Sequence, residues 1–361
     1  EEAIRIEGEH VPLDGSEAGA GKLAILLRFP VGVVGAITPF NAPFNLSIHK
    51  LAPALAAGDT IVLKAPPQAS LVVSEAVRLF VDAGVPPGFV NAVYGGAELG
   101  QALVADDRVD FITFTGSARA GLAIKAASGY KRIALELGGN SPTIVHDDAD
   151  IELAAKTCAV NSMRLAGQSC ISVQNVYVHR SKHEKFLEAI DRHLGLLKVG
   201  DPLEQPTDVG TLIDESAARR VENWVSEAIA SGAKLVRGGT RRGAQIAPTL
   251  LTDVQPSMKV ICEEVFGPVV SVLPYDNLST VIEAVNSSRY GLQCGVFTQS
   301  NQTTFLLIRA LRTGGVIING SSTFRTDQMA YGGVRASGAG REGPKFAIRD
   351  MTDERLVVFN L

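Results

Sequence analysis

The sequence lacks the features that mark several large classes of protein. Its 361 residues contain 34 lysines and arginines against 38 aspartates and glutamates, and the net charge of −4 gives no electrostatic case for binding nucleic acid. Only four cysteines occur, and so few thiols fit a reducing compartment. They show no C-x-x-C spacing, so we expect no metal site; they are Cys158, Cys170, Cys262 and Cys294.

Long hydrophobic runs are also missing. The most apolar stretch, residues 23–37, is interrupted by Arg28 and Pro30 and is too short to span a bilayer. No basic segment followed by an apolar one opens the sequence, so we expect a cytoplasmic protein without a membrane partner. No internal repeat or low-complexity tract occurs, and the length exceeds that of one ordinary core. Two lobes are therefore expected.

Short apolar strands alternate with amphipathic helices along most of the chain. The pattern predicts strands over 60–63 and 89–94 with a helix over 70–83 between them, and a second series begins at residue 141. This alternation predicts an α/β fold with a parallel sheet covered by helices on both faces. The last residues, 355–360, also have the composition of a strand.

One cysteine stands in a turn. Gly167-Gln168-Ser169-Cys170 follows a helical pattern and precedes a β-branched run, which places the thiol at the end of a glycine turn. A nucleophile requires such a position. The alternative is a packing residue, because most cysteines are buried core residues.

Polar residues end three of the predicted strands. Asn41 could donate a hydrogen bond to an oxyanion, or it could cap the next helix. Lys64 could reach the ribose or phosphate of a cofactor, or it could be a solvated surface lysine. Glu136 could be a general base with a raised pKa, or a structural charge with a partner.

Two further segments suggest a nucleotide. Gly116, Ser117 and Gly121 form a strand-to-helix turn that could bind a phosphate, although the full G-x-G-x-x-G pattern is absent. Glu264 and Phe266 are two residues apart, hence on one side of an extended segment, where the acid could take ribose hydroxyls and the ring could pack beside a planar cofactor. A turn with an exposed acid explains the same residues.

The order and spacing of these motifs resemble those of the NAD(P)-dependent aldehyde dehydrogenase superfamily, over essentially the whole chain. The run from Tyr331 to Glu342 is similar to the closing signature of that family. The resemblance implies an α/β fold with a Rossmann-type parallel-sheet cofactor domain, an α/β catalytic domain and a small β oligomerisation element. The implied bounds are 29–138 for the cofactor domain (without its N-terminal part), 139–336 for the catalytic domain, 337–354 for a segment returning to the cofactor domain, and 11–28 with 355–361 for the oligomerisation strands.

The resemblance implies a reaction as well. Cys170 would attack an aldehyde to give a thiohemiacetal and then a thioester, with Asn41 and the Cys170 backbone N–H as oxyanion hole. Glu136 would activate the water that releases the carboxylic acid. Lys50 and Glu342 match positions of a proton relay to Glu136. The remaining three cysteines match no functional position and are interpreted as packing residues.

The implied cofactor is NAD, with NADP possible. Lys64 and Glu264 would hold its two riboses, Phe266 the nicotinamide, and Ser117 in the turn between Gly116 and Gly121 the pyrophosphate. Many NAD-preferring members carry glutamate where this chain has Pro67, so a 2′-phosphate is not repelled by charge at that position.

The substrate is expected to be a small aldehyde with a polar or anionic tail. Arg164 matches an arginine that binds the distal carboxylate in succinate-semialdehyde-type members, and their second arginine falls at His49. Arg325 lies in the loop that lines the substrate entrance of the family. The alternative for Arg164 is an ion pair with a nearby acid.

Other functions stay open at this point. A CoA-acylating aldehyde dehydrogenase shares the thioester, although the presence of Glu136 favours hydrolysis. A catalytically silent structural relative or an inactive fragment would keep the fold without the reaction. The family assembles through the oligomerisation strands, so a homodimer or homotetramer is expected.

Overall fold

A computed structural model describes residues 2–6 and 8–361 of the chain. They form two compact units. Unit 1 comprises Glu1–Glu136, Thr326–Tyr331 and Ala339–Leu361, and unit 2 comprises Leu137–Arg325 and Gly332–Gly338. In the described part of the chain, no helix is long and apolar enough to cross a membrane.

Strands and helices alternate along the chain as the sequence pattern predicts. The strands are β1 (Glu9–Val11), β2 (Lys22–Pro30), β3 (Val33–Ile37), β4 (Thr60–Ala65), β5 (Val90–Tyr94), β6 (Phe111–Thr115), β7 (Arg132–Glu136), β8 (Pro142–Val145), β9 (Asn175–His179), β10 (Lys234–Arg237), β11 (Arg241–Arg242), β12 (Gln245–Ile246), β13 (Thr249–Thr252), β14 (Val269–Tyr275), β15 (Gln293–Phe297), β16 (Gly315–Ile318), β17 (Gly338–Ala339) and β18 (Thr352–Asn360). The helices are α1 (Pro43–Ala57), α2 (Ser70–Asp82), α3 (Ala97–Ala105), α4 (Ala118–Ala127), α5 (Ile151–Met163), α6 (His183–Gly195), α7 (Glu215–Ala230), α8 (Lys259–Cys262), α9 (Leu278–Ser287), α10 (Asn301–Ala310) and α11 (Pro344–Asp350).

Unit 1 is built on a sheet of strand order β17-β7-β6-β3-β4-β5, in which β7, β6, β3, β4 and β5 are parallel. Apolar side chains of the central strands pack with those of α1 and α2 into one core, which includes Val34, Leu51, Ile61 and Val73. Burial on both faces explains why these strands are nearly continuous apolar runs. The predicted α/β class is confirmed.

A separate three-stranded antiparallel sheet of order β1-β2-β18 also belongs to unit 1. Its two long strands pair from Thr352 opposite Pro30 to Asn360 opposite Lys22. Strand β18 is an edge strand, and its side chains Leu356, Val358 and Phe359 are exposed.

Unit 2 contains a seven-stranded sheet of order β10-β13-β14-β9-β8-β15-β16, parallel except for the edge strand β10. Its larger core joins these strands to α5, α6 and α7 through side chains such as Ala155, Val176, Phe186 and Val221.

Some predicted elements differ from the observed ones. Helix α1 is not predicted, because Pro53 in its interior removes a backbone donor and normally argues against a helix. The β-branched run after Cys170 does not form a strand at once: residues 171–174 form a turn and irregular backbone, and β9 begins at Asn175. Strand β13 and the short hairpin of β11 and β12 are also not predicted.

Asp59 follows the end of α1 and is fully buried. Its Oδ1 accepts a hydrogen bond from the Gly32 N–H at 2.8 Å. Burial raises the pKa of Asp59 to about 6, although backbone hydrogen bonds oppose the shift. Because the folded-state pKa lies above the ordinary value, the favourable contribution of the protonated form is complete at low pH and is lost as the pH rises through about 6.

Asp59→Asn should therefore remove a pH dependence of stability. Between about pH 4 and pH 7, the unfolding free energy of the parent should fall relative to the variant by about 2–3 kcal/mol. Urea unfolding at a series of pH values measures this difference. Asp110→Asn is the matched control, because the exposed Asp110 also accepts a backbone N–H, from Val33 at 2.9 Å. Equal pH profiles for the parent and the Asp59 variant would contradict the prediction.

Candidate active site

The sheet of unit 1 brings several predicted site residues to one edge. Parallel strands end on the same side of a sheet, and the register pairs Ile37 with Lys64 and Thr115 with Glu136. Asn41 follows β3, and Gly116 follows β6. The carboxyl edge of this sheet therefore carries four of the residues that the sequence singles out.

Asn41 does not cap the helix that follows it. The residue at the start of α1 is Ala42, which makes no side-chain capping hydrogen bond, and Pro43 occupies the first helical position. Proline is favoured there because its missing N–H would have no partner inside the helix. The capping alternative for Asn41 is thus wrong, and its partly exposed amide lies in the loop beyond β3.

Lys64 is a buried lysine, not a solvated one. It is 7% exposed, and its ammonium donates to the backbone carbonyl of Ala65 at 3.0 Å. Burial lowers the pKa of Lys64. A buried cation at the end of a parallel strand is costly unless an anionic or polar group satisfies it, which favours the ligand-binding interpretation.

The turn between β6 and α4 requires its glycine. The Gly116 N–H donates to the Glu136 carbonyl at 3.0 Å, and a Cβ at Gly116 would lie 2.4 Å from Phe114 Cζ. Ser117 caps α4 through a hydrogen bond from the Ala120 N–H at 3.3 Å. Gly121 is buried in the first turns of this ten-residue helix. The turn leaves backbone N–H groups at a helix start, where a phosphate can bind.

Glu136 is the last residue of β7 and is 5% exposed. On the same unit, Lys50 is 1% exposed and its ammonium donates to Thr113 Oγ1 at 3.0 Å and to Glu342 Oε1 at 3.4 Å. Glu342 is also buried. The two residues that the resemblance assigns to a relay therefore form a buried ion pair.

In unit 2, the approach to Cys170 is a left-handed turn. Leu165 has φ 53° and ψ 32°, Ala166 has φ 53° and ψ 36°, and Gly167 has φ 72°. Left-handed backbone costs about 1–2 kcal/mol for a residue with a side chain, so the surrounding structure must hold it in place. A Cβ at Gly167 would lie 2.0 Å from the Gly267 carbonyl oxygen, which shows how closely two loops pack here.

Cys170 itself is partly exposed, and its carbonyl accepts from Ser141 Oγ at 3.0 Å. Burial raises the pKa of Cys158, and it raises the pKa of Cys294 to about 12. Both are fully buried packing residues, as predicted. Cys262 is exposed, so its interpretation as a packing residue is wrong.

Gln168 is a site residue that the sequence analysis does not single out. Its amide nitrogen donates to the carbonyls of Leu165 at 3.1 Å and Thr211 at 3.3 Å, and its amide oxygen accepts from the Ile213 N–H at 2.8 Å. These bonds join the left-handed turn to the loop before α7. The only signal in the sequence is an amide two residues before the cysteine, and its partner loop lies more than forty residues away.

Gln168→Leu should therefore loosen the turn that carries Cys170. Loss of bonds worth about 1–2 kcal/mol should raise amide hydrogen exchange over residues 165–170 by about ten-fold. Hydrogen-exchange mass spectrometry measures this change, with Gln302→Leu on the exposed start of α10 as the control. Identical exchange of the turn in both variants would show that Gln168 does not hold it.

Glu264 and Phe266 lie beyond α8 in irregular backbone. Phe266 has φ 50°, so the segment turns there, and the expectation of an extended segment is wrong. The two side chains nevertheless line one small recess, together with Gly139 and Gly167. Residue spacing alone cannot show that a residue other than glycine adopts a left-handed conformation.

Glu264 is held against a glycine pair. Its Oε1 accepts from the Gly139 N–H at 3.3 Å, and a Cβ at Gly138 would lie 2.0 Å from its Oε2. Burial raises the pKa of Glu264 to about 7, against that hydrogen bond and the charges of Arg220 and Arg289. A carboxyl group in this state accepts or donates hydrogen bonds near neutral pH, which suits the recognition of hydroxyl groups.

Two arginines of unit 2, Arg164 and Arg325, are among the residues that the sequence predicts to bind the substrate tail. Arg164 ends α5 and is exposed, and no carboxylate in the described part of the chain lies within ion-pair distance of it. The ion-pair alternative is thus not supported. Arg325 is partly exposed and follows Phe324 in the loop after β16. Across residues 2–6 and 8–361, no cluster of three or more His, Cys, Asp or Glu residues could hold a metal ion.

The geometry defines a class of protein: an α/β enzyme with a nucleotide-type strand edge and a cysteine held in a strained turn. The family model "Aldehyde dehydrogenase family" matches residues 1–357. A 3-sulfolactaldehyde dehydrogenase of Priestia megaterium is 46% identical over all of this chain and 76% of its own length.

Solved structures of aldehyde-oxidising enzymes are also similar to this chain. A glyceraldehyde-3-phosphate dehydrogenase of Methanocaldococcus jannaschii, complexed with NADP, has a TM-score of 0.95 and 39% identity, covering 99% of this chain and 78% of its own. Aldehyde dehydrogenase 21 of Physcomitrella patens, in complex with the reaction product succinate, has a TM-score of 0.94 and 38% identity, covering 100% of this chain and 76% of its own.

The chain belongs to the aldehyde dehydrogenase family. It is an oxidoreductase that acts on aldehydes with NAD(P) as cofactor.

Proposed function

We propose that this chain oxidises a small aldehyde with an anionic tail to the carboxylic acid, with Cys170 as nucleophile. The observation that carries the proposal is the left-handed turn, which presents a partly exposed thiol while Cys158 and Cys294 are fully buried. A thiolate is both a good nucleophile and a good leaving group.

The steps follow from the chemistry of sulfur. The Cys170 thiolate adds to the aldehyde carbon to form a thiohemiacetal, and the side-chain amide of Asn41 with the Cys170 backbone N–H donates to the oxyanion. Loss of hydride from that carbon gives a thioester on Cys170. Glu136 then takes a proton from water as the water oxygen attacks the thioester carbon. The tetrahedral adduct collapses with cleavage of the C–S bond, which releases the carboxylic acid and returns the Cys170 thiolate.

The residues present fit the cofactor. NAD(P)+ supplies the acceptor for the hydride. Lys64 and Glu264 would hold the riboses, Ser117 would bind the pyrophosphate in the turn from Gly116 to Gly121, and Phe266 would contact the nicotinamide. The start of α4 after Gly116 offers backbone N–H groups, which supports the binding of a phosphate in this turn. Pro67 is exposed and uncharged, so nothing at that position repels the 2′-phosphate of NADP+. We propose NAD+ as the cofactor, with NADP+ as the alternative.

Arg164 and Arg325 are proposed to bind the tail of the substrate. The exposed Arg164 has its guanidinium available for an anion, and arginine binds carboxylate, sulfonate or phosphate oxygens in a fork. The relative from Priestia megaterium is named for a sulfonated aldehyde, and 3-sulfolactaldehyde is therefore the first substrate to test. His49 contacts the carboxylates of Glu342 and Asp327, whose negative charges would oppose an anionic tail, so we place the tail on the two arginines instead.

Lys50 and Glu342 are proposed to relay the proton from Glu136, which their buried ion pair supports. Assembly as a homodimer or homotetramer through β18 is also proposed, because its exposed apolar side chains lie on an edge strand. Four cysteines, two of them fully buried, suit a cytoplasmic protein.

An aldehyde panel tests the reaction. With 3-sulfolactaldehyde, succinate semialdehyde and propanal, NAD(P)H should form with NAD+ or NADP+, and Cys170→Ala should lower the rate by about 10³-fold or more. Cys262→Ala is the control, because that thiol is also exposed. Activity that survives in the Cys170 variant would refute the assignment, and acid formation that requires CoA would point to an acyl-CoA product.

A second prediction concerns the tail. Arg164→Leu should lower kcat/KM for anionic aldehydes, relative to propanal, by about 10–100-fold, because a charge-assisted contact worth about 1.5–3 kcal/mol is lost. Arg242→Leu, at an exposed arginine of β11, controls for the loss of one surface charge. An unchanged ratio in the Arg164 variant would show that this residue does not bind the tail.

A further inference from the structure

A line of polar side chains in mutual contact runs through unit 1 from its interior to its surface. Lys50 Nζ lies 3.4 Å from Glu342 Oε1, Glu342 Oε2 lies 3.4 Å from His49 Nδ1, and His49 Nε2 lies 3.5 Å from Asp327 Oδ1. The exposed fraction of the side chains rises in the same order: 1% for Lys50, 8% for Glu342, 12% for His49 and 74% for Asp327. The imidazole of His49 thus lies between the buried carboxylate of Glu342 and the solvated carboxylate of Asp327.

The inner end of this line lies on the face of the sheet that carries Glu136. Lys50 Nζ donates to Thr113 Oγ1, and Thr113 and Thr115 project from the same face of β6 because they are two residues apart. Thr115 pairs with Glu136 in the parallel register, so the Glu136 side chain projects to that face as well. Two residues of a strand span about 7 Å, and this length sets the scale of the distance along the sheet between the groups at Thr113, which Lys50 contacts, and at Glu136.

The outer end opens into a cavity of about 280 Å³ that is lined by both His49 and Asp327. Asn45 and Ile48 of α1 and Pro344 of α11 form other parts of its wall. The other titratable group of the lining is Glu2, which pairs with Arg5 at 3.1 Å. Water in this cavity can therefore reach the imidazole without passing the buried residues.

We propose that His49 carries the proton of each deacylation from Glu342 to Asp327 and the solvent. The proposal rests on the function proposed above, in which hydrolysis leaves one water-derived proton on Glu136. That proton passes by way of Lys50 to Glu342. His49 accepts a proton from Glu342 at Nδ1 and releases the proton of Nε2 to Asp327. Exchange with water of the cavity then removes the proton from Nδ1 and returns one to Nε2, so that each turnover starts from the same tautomer.

An imidazole suits this position because it can accept a proton on one ring nitrogen while it releases one from the other. The carboxylates of Glu342 and Asp327 stabilise the transient imidazolium from both sides. The same two carboxylates oppose the binding of an anionic substrate tail. His49 is therefore better suited to proton transfer than to binding that tail. His49 acts through Glu136 and is not itself a catalytic residue.

The test compares His49→Gln with the parent in a single turnover. Glutamine keeps hydrogen-bonding capacity but cannot carry a proton. The reduced cofactor should appear at the parent rate, whereas breakdown of the thioester, followed by quenched flow, should slow by about ten-fold or more. A pH indicator should record release of the proton with the same delay. Added imidazole should restore the rate in proportion to its concentration, because the cavity admits a small base.

Two further variants sharpen the result. Asp327→Asn should slow thioester breakdown less than His49→Gln, since water can replace the outer acceptor. Asn45→Gln changes the wall of the same cavity outside the proton path and should leave thioester breakdown unchanged.

The outcomes separate this inference from the proposed function. Thioester breakdown at the parent rate in His49→Gln would overturn it, as would a slow rate that imidazole does not restore. A selective rise in KM for anionic aldehydes would assign His49 to the substrate tail instead. Loss of the reduced-cofactor phase in the parent chain itself would instead contradict the Cys170 chemistry, because no thioester would have formed.

Discussion

The parallel register of β3, β4, β6 and β7 is the constraint on which the chemistry of unit 1 depends. Because these strands run in one direction, the residues that follow them meet at one edge, whatever the distance between them in the sequence. Asn41, Lys64, Gly116 and Glu136 are spread over nearly a hundred residues and still share that edge. The apolar cores supply the stability that allows charged residues to be held there.

Several residues of unit 1 are buried charges, which stability alone does not explain. Lys50, Lys64 and Glu342 are almost fully buried, and removing charges from water costs several kcal/mol per ion before pairing compensates. Replacing a buried ion pair by apolar residues is often neutral or stabilising. The cost is understandable if the groups bind a cofactor or transfer protons, because both tasks require a charge in a place that water does not screen.

Much of the fold and part of the site could be predicted from the sequence. Alternation of apolar strands with amphipathic helices predicts the elements of both units, since burial on both faces produces that pattern. Helix α1 could not be predicted, because a proline such as Pro53 normally disfavours a helix interior. Tertiary packing of this helix outweighs that preference. The turns at Leu165, Ala166 and Phe266 could not be predicted either, since only contacts with distant loops hold such residues in left-handed backbone. For the same reason Gln168, whose partners Thr211 and Ile213 are far away in the chain, escapes a motif search.

The proton path proposed for unit 1 also bears on the fate of the thioester. A thiol such as that of CoA is far more acidic than water, since free cysteine has a pKa of about 8.5, so its thiolate attacks a thioester with little help from a base. Water has a pKa of about 15.7 and must lose a proton to a positioned base as it attacks. That base must then be discharged in every turnover. A line of groups from Lys50 through Glu342 and His49 to the exposed Asp327 would discharge that base after each hydrolysis. Attack by the thiol of CoA would not require such a line. The arrangement of unit 1 therefore favours hydrolysis to the free acid over transfer of the acyl group to CoA.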